Sequence, residues 1–123
     1  VFDPWNEIDH SRSQGLSETE YISKCLSKIR YFARTYDVHV WLIAHPTKLL
    51  KRLDGSYPVP TPYDISGSAH FRNKADNCLT VWRDLTTASN ETKIYIQKIR
   101  FHEVGKIGDV TLNYNPITQS YSY

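Results

Sequence analysis

The sequence predicts an α/β domain in which a largely parallel set of buried strands precedes a terminal antiparallel hairpin. Three observations carry that prediction. A helix with a marked start at Ser17 is followed at once by a β-branched and aromatic run, residues 38–44, the alternation from which layered α/β folds are built. That run and a second, residues 78–82, lack polar alternation, as do strands covered on both faces of a parallel sheet. Further on, Ile94, Ile96 and Ile99 punctuate a third strand, Gly105 and Gly108 mark a turn, and residues 110–114 read as a fourth strand antiparallel to the third.

Taken in order, the chain opens on Val1-Phe2-Asp3-Pro4, which reads as the end of a strand and implies that the domain begins upstream. Residues 6–15 are polar and read as a loop. Ser17 and Glu20 then have the spacing of a capping box. Apolar residues at Tyr21, Ile22, Cys25, Leu26, Ile29, Phe32, Ala33 and Tyr36 follow the i, i+3, i+4, i+7 rule of an amphipathic helix. Lys24, Lys28 and Arg34 occupy its other face, and Asp37 ends it. His45 and Pro46 stop the strand that follows. In residues 47–63, Lys48, Lys51 and Arg52 precede Pro58, Pro60 and Pro62, so an extended surface loop is expected. Ser66-Gly67-Ser68 starts a short helix through Asn73 to Asp76, residues 85–91 form a polar turn, residues 93–100 the third strand, and residues 121–123 a last edge strand.

The chain has 123 residues, 40% apolar and 23% charged, as expected of one globular domain with a modest core. A net charge of +2 gives no bulk attraction to nucleic acid, so any basic patch must be local. Cys25 and Cys78 lie inside apolar segments without metal-like spacing and read as buried, reduced thiols of a cytosolic protein. No apolar run approaches the roughly 20 residues of a membrane span, and the opening residues are not a signal peptide.

Candidate chemistry lies just past the strands, because ligands of open α/β sheets bind at strand C-terminal ends. Asp3, His45 and Arg83 occupy such places. Asp3 reads either as a turn cap or as a carboxylate holding a Mg²⁺-bound water. His45 reads either as a structural histidine or as a donor to a γ-phosphate. Lys98 and Arg100, two apart on a strand, are expected on one face, where they are either solvated or poised to reach phosphates. Arginine suits the second role because its planar fork stays charged and grips phosphate with two prongs. The chain contains no GxxxxGK[ST] loop, no GxGxxG fingerprint, no Ser/His/Asp or Cys/His nucleophile arrangement and no zinc spacing. By motif it is not a self-sufficient enzyme, and alone it is expected to be inactive.

The order of segments is more specific than any single residue. Asp3 after a strand, a capped helix, a strand ending in His45, Gly67-Ser68-Ala69 through Ala75-Asp76-Asn77, a strand ending in Arg83, and Lys98-Ile99-Arg100-Phe101 before two glycines together resemble the motor of the DnaB-type replicative DNA helicases, and within it the Twinkle-like and phage primase-helicase branch. The resemblance covers essentially the whole chain. It implies that residues 1–123 are one partial RecA-like P-loop ATPase domain, its C-terminal part, without the upstream phosphate-binding loop.

The resemblance also implies roles. Asp3 looks like the Walker B aspartate that orders Mg²⁺ through water, and His45 like the γ-phosphate sensor. Arg100 looks like an arginine finger, with Lys98 as its companion, acting on ATP or another NTP in the adjacent subunit. Arg83 and Tyr114 resemble the pair that sandwiches the nucleotide base. Lys48, Lys51 and Arg52 resemble a DNA-binding loop, and Arg72 part of a second channel-facing loop. The parent protein would hydrolyse NTP and translocate on single-stranded DNA as a hexameric ring, partnered by an attached or separate primase, away from membranes, in the cytoplasm of a bacterium or encoded by a phage. Two rivals are another RecA-superfamily ATPase of the recombinase kind and a non-catalytic DNA-binding or interaction module.

Overall fold

The computed structural model describes residues 1–8, 10–12, 15–66 and 69–123. They divide into two compact units, residues 1–47 with 62–75 and residues 48–61 with 76–123, and each is described by itself.

The first unit is built on helix α1 (Glu18–Thr35). Its predicted capping box forms: the Glu20 N–H donates to Ser17 Oγ at 3.3 Å, while the Glu20 carboxylate accepts from the Ser17 N–H at 3.0 Å and its hydroxyl at 2.7 Å. These bonds, the hydroxyl's first and the backbone's second, hold the Glu20 carboxyl below its usual range. The helix ends with Asp37 at φ +50° and the Val38 N–H bonded back to the Ala33 carbonyl at 3.0 Å, a left-handed closure of the Schellman type. Ser17→Ala is expected to weaken α1 by about 1 kcal/mol, read as lost hydrogen-exchange protection of its first two turns in the full-length protein. A group whose folded pKa is depressed contributes stability that is lost as pH falls through that value. The difference between Ser17→Ala and the native protein should therefore narrow in acid, as Glu20 is protonated.

The core of this unit is Trp5, Ile22, Leu26 and Phe71. Short helix α2 (His70–Lys74) delivers Phe71, which meets Trp5 edge-on at 5.5 Å. Gly67 and Ser68, expected to start this helix, lie outside the described residues. The predicted apolar face of α1 is buried only in its first half. Ile22 and Leu26 are buried, whereas Phe32 and Tyr36 are 47% and 66% exposed and stack on each other at 4.8 Å. The periodicity was sound, but no described element of the unit covers its C-terminal turns.

Residues 38–44 depart from expectation in the same way. The Phe2 N–H donates to the Trp41 carbonyl and the Ile43 N–H to the Phe2 carbonyl, both at 2.9 Å, forming a parallel bridge between Phe2 and Leu42. The direction is the predicted one, but the pairing stays an isolated bridge. Leu42 and Ala44 pack on the core while Trp41 and Ile43 face outward, so one face of the run is covered and not two.

The second unit is a four-stranded sheet, β1 (Asn77–Trp82), β2 (Glu91–Ile99), β3 (Gly108–Asn115) and β4 (Ser120–Ser122), in sequence order. Every pairing is antiparallel. This corrects the expectation of a largely parallel sheet. The connections, residues 83–90, 100–107 and 116–119, are too short for the crossover of a dozen or more residues that parallel neighbours require. The chain is thus α/β with a four-stranded antiparallel meander. The predicted antiparallel relation of third and fourth strands holds, as does a last edge strand. β1 is itself an edge: Cys78 is buried, but Leu79 and Val81 are exposed, so the run read as a doubly buried strand is covered on one face. Gln97, the residue left unpaired at the bulge between β1 and β2, and Thr80 both donate to the Pro60 carbonyl, from Nε2 at 2.8 Å and the hydroxyl at 3.1 Å, which ties the proline-rich loop to the sheet. Cys25 and Cys78 are both unbridged, the first half-buried.

Candidate functional site

Asp3 and His45 stand at the same end of the parallel pair in the first unit. Backbone bonds from Phe2 and Trp5 to residues 41–43 lead the chain past Asp3. The Asn6 side chain then accepts the His45 N–H at 2.9 Å, anchoring the residue expected to sense phosphate. Both side chains are exposed, as groups meeting a soluble ligand must be. Among the described residues no group of three His, Cys, Asp or Glu is placed to hold a metal. A Mg²⁺ held by one carboxylate, its waters and substrate phosphates needs none, so Asp3 fits that limited role. Asn6 had no role assigned from the sequence; an amide following an acidic turn carries no distinctive signal.

Beside this pair is a cleft of about 390 Å³ lined by Trp5, Asn6, His10, Arg12 and Tyr21 among others. His10 is held at both nitrogens, Nε2 to the Trp5 carbonyl at 3.0 Å and Nδ1 to the Tyr21 hydroxyl at 3.1 Å. The carbonyl can only accept, so Nε2 carries the proton and Nδ1 accepts from the tyrosine. In α2, Arg72 lies over the Tyr63 ring at 5.4 Å.

In the second unit Arg83 and Tyr114 come together. The Arg83 guanidinium lies over the Tyr114 ring, 5.7 Å from its centroid, a cation–π distance. Arg83 also donates to Asn90 Oδ1 at 3.0 Å and to the Ser89 carbonyl at 3.4 Å. Tyr121, paired with Tyr114 across β3 and β4, packs its ring 5.0 Å from the other.

Lys98 is the penultimate residue of β2, and Arg100 stands one residue beyond the strand's end. The Arg100 N–H donates to the Asp76 carbonyl at 2.9 Å and its Nε reaches Asp76 Oδ1 at 2.7 Å. Asp76 and Asn90 are the partners that sequence reading missed. Each is separated from its arginine by chain that only the hairpin register brings back.

Lys48, Lys51 and Arg52 are all exposed. The loop bearing them is shaped at its tip: the Arg52 N–H bonds the Ser56 carbonyl at 2.8 Å, and Asp54 accepts from the Ser56 hydroxyl and N–H at 2.7 and 2.9 Å. Those two bonds, in that order, hold the Asp54 carboxyl below its usual range. Gly55 has φ +83°, a conformation that glycine adopts without strain. Lys51 lies 5.2 Å from the Tyr57 ring centroid.

The chain is related to the Twinkle-like helicases. Over 125 aligned residues it is 45% identical to the Twinkle homolog protein, chloroplastic/mitochondrial, of Arabidopsis thaliana, a match that takes in 99% of this chain. The chain spans 17% of that relative's length. No family model matches it. The relative corrects one expectation: it is a plant protein named for chloroplast and mitochondrion, where the sequence suggested a cytoplasmic protein of bacterial or phage origin. Targeting addresses are carried by segments of a different kind from the motifs that suggested the resemblance. Among the described residues no helix is long and apolar enough to cross a membrane.

Proposed function

We propose that this chain is the C-terminal part of a RecA-like motor domain in an organellar, Twinkle-like replicative DNA helicase. The observation that carries the proposal is the 45% identity over nearly the whole chain, which spans every candidate residue. The parent protein would bind ATP or another NTP with Mg²⁺, assemble as a hexameric ring and move along single-stranded DNA, with a primase domain or a separate primase as partner. Residues 1–123 would form one partial domain lacking the phosphate-binding loop, inactive alone.

In this reading Asp3 orients a water on the metal and His45 donates a hydrogen bond to the γ-phosphate. A Mg²⁺ held through water by Asp3 would supply charge neutralisation for phosphoryl transfer. Arg100 and Lys98 stabilise charge on the phosphates of ATP in the neighbouring subunit, where catalysis is chiefly positioning and electrostatics. Arg83 and Tyr114 face the nucleotide base. The exposed Trp41 and Ile43 are covered by further strands of the parent domain.

Lys48, Lys51 and Arg52, with Arg72 on helix α2, contact DNA phosphates. Arg52 sits at a loop tip pre-shaped by Asp54 and Ser56, with Lys51 next to it in sequence, which limits the ordering cost of binding. Replacing all three with Ala in the full-length protein should weaken single-stranded DNA binding. The log–log salt slope should flatten by up to about 0.7 per lost phosphate contact. Unchanged affinity and slope across a salt titration would leave these residues as a solvated loop and remove the DNA assignment.

A further inference from the structure

We infer that Asn90 is a positioning residue for the nucleotide base, holding Arg83 over Tyr114 from both sides of that pair. The inference rests on the base-sandwich reading of Arg83 and Tyr114 and adds the group that makes the sandwich a fixed device.

Asn90 is the last residue before β2, and it reaches both partners. Its side-chain Oδ1 accepts from Arg83 Nη2 at 3.0 Å, and its backbone carbonyl accepts the Tyr114 N–H at 2.9 Å. One residue therefore ties the guanidinium to the strand that carries the phenol. The connection bearing it is itself locked. Asp84 accepts from the Thr86 hydroxyl at 2.6 Å and N–H at 2.9 Å, and the Ser89 hydroxyl accepts the Glu91 N–H at 3.1 Å. Tyr121 also packs against Tyr114, ring centroids 5.0 Å apart and tilted by 47°.

The spacing says how the pair would work. A flat base between guanidinium and phenol needs about 7–8 Å from one to the other, two van der Waals separations. Arg83 lies 5.7 Å from the ring. The guanidinium must lift by about 2 Å to admit a base. Hinged at Nη2 on Asn90, it can lift while staying over the ring. Without the hinge, a long and rotamer-rich side chain must be ordered anew by each nucleotide, at a cost in affinity.

The test uses the full-length protein and two probes, ATP and inorganic tripolyphosphate, which has the phosphates and no base. Asn90→Ala keeps the backbone bond to Tyr114 and the longer bond of Arg83 Nη2 to the Ser89 carbonyl at 3.4 Å, and removes the 3.0 Å side-chain tether. It should weaken ATP binding about tenfold, the scale of a hydrogen bond to a charged group. Tripolyphosphate affinity and kcat at saturating ATP should be unchanged. Asn90→Asp, which still accepts from Arg83, should restore ATP affinity. Equal weakening for both probes, or no weakening of ATP, overturns the positioning role. Arg83→Ala and Tyr114→Ala report on the underlying reading. If neither weakens ATP selectively over tripolyphosphate, the base sandwich itself fails. If both do and Asn90→Ala does not, only the role of Asn90 fails.

Discussion

Arg100→Ala in the full-length protein will abolish DNA-stimulated ATP hydrolysis while leaving ring assembly and nucleotide binding intact. A finger supplied to a neighbour's phosphates is worth about 10³–10⁵ in turnover, far more than its structural contribution here. One such contact is that of Nε with Asp76 Oδ1 at 2.7 Å, and the Asp76 side chain is 50% exposed. Water can take over an exposed carboxylate, and such pairs add little to stability. The trans character is separately testable. Mixing Arg100→Ala with Asp3→Ala, each inactive alone, creates interfaces that have Asp3 from one subunit and Arg100 from the next, so partial activity should return. If mixed rings form and no ratio restores hydrolysis, with strict ring-wide coordination excluded by wild-type doping, Arg100 does not act across the interface.

Trp5→Ala will unfold the first unit locally. Trp5 is 7% exposed, packs edge-on against Phe71 at 5.5 Å and stacks on His10 at 4.5 Å. Truncating a buried tryptophan to alanine typically costs about 3–5 kcal/mol through lost burial and the cavity left behind. Hydrogen exchange of α1 amides in the full-length protein, followed against denaturant, reads that cost directly. The second unit's β2 and β3 amides should change little. A loss in α1 below about 1 kcal/mol, small for a core truncation, would mean that Trp5 is not the centre of this core.

What the sequence made legible was local. The capping box of Ser17 and Glu20 specifies the start of α1 by hydrogen bonds three residues apart, and it formed as read. The glycine turn after Phe101 and the short return at residues 116–119 bring β2, β3 and β4 together, because short connections leave only antiparallel pairing open. What failed was the inference from composition to burial. An apolar run without polar alternation reads as doubly buried, yet Trp41, Ile43, Leu79 and Val81 keep one side exposed. Burial depends on which partners lie on each face, and a run of residues does not encode that.

The candidate site divides along the same line. Arg83 and Tyr114 were paired through the family resemblance, and they meet. Asn90 and Asp76, which hold Arg83 and Arg100, were invisible because their partners arrive through register. Asn90 read as part of a polar turn and Asp76 as the end of a helix. The shaped tip of the basic loop was within reach: Asp54-Gly55-Ser56 carries the residues of an Asx turn, although the prolines around it drew the reading to an extended loop.

The most direct measurement is an experimental structure of the full-length protein assembled on single-stranded DNA with a non-hydrolysable ATP analogue. The account predicts a ring with nucleotide at each subunit boundary. Asp3 and His45 of one subunit should lie on the phosphate side and Arg100 of the next should reach the γ-phosphate, with Lys48, Lys51 and Arg52 facing the DNA. Nucleotide bound wholly within one subunit, with Arg100 still on Asp76 and remote from every phosphate, would contradict it.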